Sequence, residues 1–206
     1  MQDRDKSVSL NINIKISNEA EKIIDTLGSN GYEAYAVGGC VRDSVMGKVP
    51  EDWDICTSAL PEQTADCFPE SHIVETGLKH GTITIVTNHT PVEVTTYRID
   101  GGYTDNRHPD KVEFVRELKE DLSRRDFTIN AMAYNCCRGL VDFFGGVSDI
   151  ERKIVRCVGD ADKRFREDSL RIMRALRFAS VLGFTIDVET SEAIFRNKKL
   201  LGNCGD

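Results

Sequence analysis

Apolar residues recur at i, i+3, i+4 and i+7 through Ala20, Ile23, Ile24 and Leu27, the pattern of an amphipathic helix with one buried face. Asn18 stands ahead of this stripe as an N-cap, with Glu21 three positions on, and the glycines at 28 and 31 end it. The pattern then shortens. Residues 32–37, 53–57, 71–75, 82–87, 92–98 and 140–144 read as strands, several of them rich in Thr, Val and Ile. Residues 88–91 suit a hairpin turn between two of these strands. Gly38-Gly39 reads as a tight turn into a short helix over 40–46, and Pro61 suits the first turn of another. Residues 99–111 lack periodicity and are rich in Gly, Asp and Pro, which predicts a mobile loop. Residues 118–133 read as mainly helical.

Past about residue 155 the period becomes helical throughout. Ile172, Ala175, Leu176 and Ala179 form one apolar stripe, with Arg171, Arg174 and Arg177 recurring every three residues on the side away from it. Gly183 stops that helix, and a last one is expected over 188–197. The pattern predicts an α/β (α+β) protein. It divides into a polar lead-in (1–16), a mixed, roughly five-stranded sheet domain with helices (17–155), and a helical segment (156–206).

Composition narrows the class. Of 206 residues, 40% are hydrophobic and 30% charged, which fits a folded globular chain rather than a disordered one. No apolar run exceeds four residues, far short of the about 20 that a membrane-crossing helix needs. The first six residues carry charges of both signs with no apolar block after them, unlike a secretory leader. None of the seven cysteines forms a C-x-x-C pair, so reduced thiols in a cytoplasmic protein are expected rather than disulfides or zinc. A net charge of −7 argues against binding nucleic acid over the whole surface. A local exception runs from 163 to 177, where six Lys and Arg stand against Glu167 and Asp168. Such a run also suits a plain solvated helix face.

The chemistry concentrates at Asp52-Trp53-Asp54. Alternate strand residues share a face, so the two carboxylates point one way and Trp53 the other, into the core. Paired carboxylates repel unless a positive charge lies between them, and a hard divalent cation meets that need. Two ordinary aspartates on an exposed strand edge would look the same. The context adds weight to the first reading. The Gly-Gly turn lets backbone approach a ligand closely, Arg42 can add charge-assisted hydrogen bonds to an anion, and Glu93, flanked by Val92 and Val94, offers a third carboxylate. His72, His80, His89 and His108 show no ligand spacing, and Cys40 and Cys56 read as small buried residues.

Taken together, these segments resemble a known family. They are Gly38-Gly39-Cys40-Val41-Arg42-Asp43, Asp52-Trp53-Asp54-Ile55-Cys56-Thr57, His80-Gly81-Thr82, and Glu93 to Arg98. They continue with Tyr103 to Asp110, Arg124-Arg125-Asp126-Phe127-Thr128-Ile129-Asn130, Asp142-Phe143-Phe144-Gly145-Gly146, and Glu167-Asp168-Ser169-Leu170-Arg171 on to Phe178. In this order and spacing, over residues 20–197, they resemble the class II CCA-adding enzymes, tRNA nucleotidyltransferases related to bacterial poly(A) polymerases. The resemblance implies a DNA polymerase β-like nucleotidyltransferase head followed by part of a helical neck. It implies transfer of nucleotides from CTP and ATP to the 3′ end of tRNA with release of pyrophosphate. On this resemblance Asp52 and Asp54 bind Mg²⁺, and Glu93 joins them as a catalytic carboxylate. Gly39 and Arg42 contact the triphosphate, and Arg125, Asp126 and Asn130 lie at ribose and phosphates. Asp168 and Arg171 read the base, Arg174 and Arg177 support the nucleotide, and Gly145-Gly146 lies near the hinge to the neck. A poly(A) polymerase, a partial CC- or A-adding enzyme, or a nucleotide-binding fragment without turnover are the alternatives. From spacing alone, Asp168 and Arg171 equally suit an i, i+3 surface salt bridge.

Overall fold

The computed structural model describes residues 12–103 and 111–204. In chain order the helices are α1 (Asn18–Ser29), α2 (Gly39–Val45), α3 (Pro61–Asp66), α4 (Leu118–Ser123), α5 (Gly146–Glu151), α6 (Ala161–Glu167), α7 (Leu170–Leu182) and α8 (Val188–Asn197). The strands are β1 (Ala34–Val37), β2 (Asp54–Thr57), β3 (His72–Val74), β4 (Thr82–Thr87), β5 (Thr90–Thr96), β6 (Arg98–Gly101), β7 (Lys111–Phe114), β8 (Met132–Asn135), β9 (Gly139–Asp142), β10 (Ile154–Val155) and β11 (Thr185–Ile186).

The main sheet is mixed and seven-stranded, in the order β3-β4-β5-β2-β1-β8-β9. Its one parallel pair is β2 with β5. The sequence predicts a sheet of about five strands; the six stretches read as strands all belong to it, and the seventh, β8, lies inside the stretch read as helix. That stretch holds only α4 and a 3₁₀ turn at Thr128–Asn130 before β8 begins. β8 is recruited as a strand by its neighbours β1 and β9, a long-range pairing that local propensity does not contain.

Three further expectations are corrected. Ser17, not Asn18, caps α1, its hydroxyl accepting from the Ala20 amide. The stretch predicted as a loop begins and ends in strands, since β6 and β7 pair antiparallel, and residues 104–110, with His108, lie outside the described residues. The segment from 156 onward is not wholly helical, because β11 pairs in parallel with β10.

Burial follows the strand alternation. On one face Ile55, Ile83, Ile85, Val92 and Val94 pack under α1, whose Ala20, Ile23, Ile24 and Leu27 are all buried as the helical period requires. Each large apolar side chain so buried contributes about 1.5–3 kcal/mol. The other face carries Tyr35, Cys56, Tyr97 and Ala133 against Leu118 and Leu122 of α4. A third cluster joins Phe127 and Ile129 to Phe165, Ile172, Ala175 and Phe178 of α6 and α7. The C-terminal helices therefore pack onto the sheet domain through the 124–130 segment, and the cleft between them is where the polar residues gather. Trp53 belongs to the core, as expected. Cys40 and Cys56 are buried, and Cys40, Cys56, Cys67, Cys136, Cys137 and Cys157 are free thiols. Burial raises the Cys56 thiol and pushes Cys157 up to about 12, so neither is a ready nucleophile.

Candidate active-site cleft

β2 delivers the first acidic group. Asp54 opens the strand and faces solvent, while Ile55, Cys56 and Thr57 behind it are buried. In the parallel ladder Asp54 lies directly beside Glu93 of β5, so the two carboxylates share a face at the spacing of neighbouring strands, about 4.8 Å. Asp52 is not in the strand; it occupies the bend before it. The Asp54 carboxyl is raised above its usual value, first by partial loss of hydration, then by the charge of Glu93, with Arg125 opposing and Asp52 adding to the rise. Among the described residues, none of the three carboxylates has an ion-pair partner, and no three His, Cys, Asp or Glu side chains converge closely enough to hold a metal by themselves. An uncompensated set of hard oxygen donors of this kind fits a divalent cation that completes its shell with ligand oxygens and water.

Opposite this acidic edge is a cleft of about 460 Å³. It is lined by Gly38, Gly39, Arg42, Asp54, the 124–126 run, Asn130, and Asp168, Arg171, Arg174, Arg177 and Phe178 of the α6–α7 corner. Gly38 makes the turn into α2 with φ +84°, and a Cβ there would lie 3.1 Å from Nη1 of Arg125. Only glycine meets both conditions, so the backbone and Arg125 can approach closely.

A chain of hydrogen bonds crosses the cleft. Arg42 donates through Nε and Nη2 to the two carboxylate oxygens of Asp43 (2.9 Å each) and through Nη1 to Oδ1 of Asn130 (2.7 Å). Nδ2 of Asn130 donates to Oδ1 of Asp126 (3.3 Å), and Nε of Arg174 donates to Asp126 Oδ2 (2.8 Å). Helix α2 is thereby tied to α7. Behind it, the wholly buried Asp121 accepts from the Arg98 amide and from Nε and Nη2 of Arg124, and stands 3.5 Å from Nη2 of Arg125. One carboxylate thus orients two cleft arginines.

At the α6–α7 corner, Asp168 Oδ1 accepts from the Leu170 amide (2.9 Å) and opens α7. Arg171 is buried, held by Glu167 Oε2 (3.1 Å) and the Arg124 carbonyl (3.3 Å), and lies only loosely against Asp168 (3.9 Å). Asp168 and Arg171 therefore stand side by side without closing on each other, and burial raises the Asp168 carboxyl. A tight surface salt bridge, the other reading of their spacing, is not what forms.

The cleft thus brings together Gly39, Arg42, Asp54, Arg125, Asp126, Asn130, Asp168, Arg171, Arg174 and Arg177. Glu93 is adjacent through the sheet, whereas Asp52 faces a neighbouring groove with Trp53 and Val92. Of the three α7 arginines, Arg174 and Arg177 are exposed and line the cleft, as the spacing predicts, and Arg171 alone departs from it. Arg171 is part of the buried face, Phe178 replaces Leu176 in it, and Leu176 is exposed. Gly145-Gly146 forms the tightly packed turn into α5, where a Cβ on Gly146 would come within 2.4 Å of the Thr128 carbonyl. Sequence reasoning passed over Gly38, Arg124 and Phe178 as site residues. The signal for Phe178 was its place four residues after Arg174 on one helix face.

A mixed sheet that carries a carboxylate pair on adjacent parallel strands, across a cleft from a helical corner rich in arginine, defines a nucleotidyltransferase head. The chain belongs to the poly(A) polymerase head domain family, whose model matches residues 34–156. It is 52% identical over 182 residues to the CCA-adding enzyme of Lactiplantibacillus plantarum, covering 88% of this chain and 44% of that one. It is 50% identical over 185 residues to the CCA-adding enzyme of Geobacillus thermodenitrificans, covering 90% and 45%. The chain therefore spans a little under half the length of these relatives. Among solved structures it resembles the Bacillus stearothermophilus CCA-adding enzyme in complex with CTP, with a TM-score of 0.80 at 49% identity, covering 89% of this chain and 44% of that one. It also resembles a tRNA nucleotidyltransferase complexed with a primer tRNA and an incoming ATP analog, with a TM-score of 0.70 at 32% identity, covering 86% and 50%. No helix among the described residues is long and apolar enough to cross a membrane.

Proposed function

We propose that the chain is the catalytic head (17–155) and the start of the helical neck (156–206) of a CCA-adding enzyme. It transfers nucleotides from CTP and ATP to the 3′ end of tRNA in the cytoplasm, without a nucleic-acid template. The observation that carries this reading is the convergence of nine polar residues from three chain segments, from Arg42 to Arg177, on the cleft that Asp54 borders. Relatives solved with CTP and with tRNA plus an ATP analog support the choice of substrates.

In this reading the RNA 3′-hydroxyl attacks the α-phosphorus, a new P–O bond forms, and the bond to the departing pyrophosphate breaks. Asp52 and Asp54, with Glu93 beside them, are the groups that would hold Mg²⁺, which on binding neutralises triphosphate charge and favours the attacking alkoxide. Arg42 and Arg125, beside the Gly38-Gly39 turn, grip the phosphates, while Asp126 and Asn130 hold Arg42 and Arg174 in place and border the ribose. Asp168 offers an acceptor next to the donors of Arg171. Cytosine and adenine present an amino donor beside a ring-nitrogen acceptor and match that order. Uracil and guanine present the reverse and leave buried groups unpaired, at about 1–3 kcal/mol each. The open spacing of Asp168 and Arg171, with Arg171 anchored from behind, supports this role.

The test is extension of a tRNA lacking its 3′ CCA, with Mg²⁺ and the four nucleotides separately and together, products sized at single-nucleotide resolution. Addition of C, C and A is the expected result. A long A tract, or C alone, assigns the chain to a sister RNA-tailing activity. Binding of CTP and ATP without addition restricts it to a nucleotide-binding head, and failure to bind either nucleotide overturns the reading.

A further inference from the structure

Phe178 sits on α7 with its ring nearly buried and packed edge-on to Phe127, the centroids 5.8 Å apart. As a core residue it needs no further explanation. Its other neighbours are unusual for a core ring. Three guanidinium carbons lie over it, Arg42 at 5.2 Å from the centroid, Arg174 at 5.5 Å and Arg177 at 5.1 Å. Arg42 comes from α2 and the other two from α7. Three cations drawn to one point repel one another. Asp43 compensates Arg42, and Asp126 compensates Arg174. Arg177 is exposed and has no ion pair or hydrogen bond among the described residues; its guanidinium rests over this ring. An aromatic face carries partial negative charge and attracts a cation within about 6 Å. An aliphatic side chain of the same bulk does not.

We propose that Phe178 is a positioning residue: its ring gathers Arg42, Arg174 and Arg177 into a single grip for the polyphosphate of the incoming nucleotide. The inference rests on the reading of the cleft as a nucleotide site and deepens it. Ligand phosphates then meet guanidiniums already assembled, without first recruiting flexible side chains against their mutual repulsion.

The test separates the ring's charge distribution from its volume. The 206-residue chain is prepared with 4-fluoro-, 3,5-difluoro- and 3,4,5-trifluorophenylalanine at position 178, which progressively weakens the negative face at nearly constant shape, and as Phe178→Leu. Binding of inorganic tripolyphosphate and of CTP is measured by calorimetry, and the thermal midpoint is recorded for each protein. Affinity is expected to fall stepwise along the fluorinated series, on the order of tenfold at its end, with the thermal midpoint held. A flat affinity series, or a fall that merely tracks the thermal midpoint, overturns the proposal. The Nε–H resonances of Arg42, Arg174 and Arg177 in the free chain give a second readout that needs no ligand. Ring-current shifts that vanish in Phe178→Leu support the gathering, and unshifted resonances overturn it. If the parent chain binds neither tripolyphosphate nor CTP, the nucleotide reading of the cleft fails, and the resonances still decide whether the ring gathers the arginines.

Discussion

Asp54 shows how a single side chain can carry opposed demands. It begins a strand whose next three residues are buried, and it stands beside Glu93 in register, with Asp52 close behind. Its carboxyl is raised, so just above the free value of 3.8 the folded chain retains a proton that the unfolded chain has released. Its contribution to stability is full below that value and declines as pH rises through the raised value. Asp54→Asn is therefore expected to leave the thermal midpoint at pH 7 unchanged or higher, while transfer falls below about one-hundredth of the parent. Added Mg²⁺ should raise the midpoint of the parent and not of the variant, which differential scanning calorimetry checks. The identity of such residues was legible in the sequence because carboxylate and guanidinium groups announce their chemistry locally. Phe178 was not, since an aromatic on a helix reads as packing, and only the fold reveals the three cations above it. Asp52 was misplaced because the D-x-D spacing implies a strand, whereas β2 starts at Asp54.

At the scale of elements, the 118–133 segment explains most of what the sequence concealed. Its composition allows a helix, yet a four-residue strand and a short helix flank the 124–130 run that lines the cleft. What fixes this run is Asp121, fully buried on α4, which aligns Arg124 and Arg125 and ties the Arg98 amide at the start of β6. The helical period places Asp121 on the face of Leu118 and Leu122 and its neighbour Glu120 on the exposed side, but it does not name the arginines that Asp121 holds. Asp121→Asn keeps the shape and removes the charge that two guanidiniums share. It is expected to cost about 3 kcal/mol of stability, read as a lower urea midpoint at unchanged slope, and to weaken CTP binding as Arg125 loses its alignment. The elements with strong periodicity were legible to within a residue or two, α1 at both ends and α7 at its C-terminal end. The pairing of β8 and of β10 with β11 was not, because both depend on partners many residues away.

For the whole molecule, the net charge of −7 and the cleft have opposite signs. Six arginines against three aspartates line the cleft, so an anionic ligand is drawn to one region of a surface that otherwise repels it. Affinity for CTP is expected to drop roughly tenfold between 50 mM and 500 mM salt as this field is screened, measured by calorimetry at fixed pH. The mixed sheet and the helical C-terminal segment were both readable in outline. Their junction was less so, because Phe127 and Ile129 belong by sequence to the first and by packing to the cluster of the second.

The bond chain from α2 to α7 has a polarity, and Asn130 sets it. On one side this amide accepts from a cation, Arg42; on the other it donates to an anion, Asp126. It acts as an adapter between groups of opposite sign that do not touch each other. An aspartate at 130 would confront Asp126 with a second anion, and a leucine would take one partner from each neighbour, leaving Arg42 to Asp43 and Asp126 to Arg174. A residue that contributes no charge of its own thus decides whether the charges on either side can occupy the same wall.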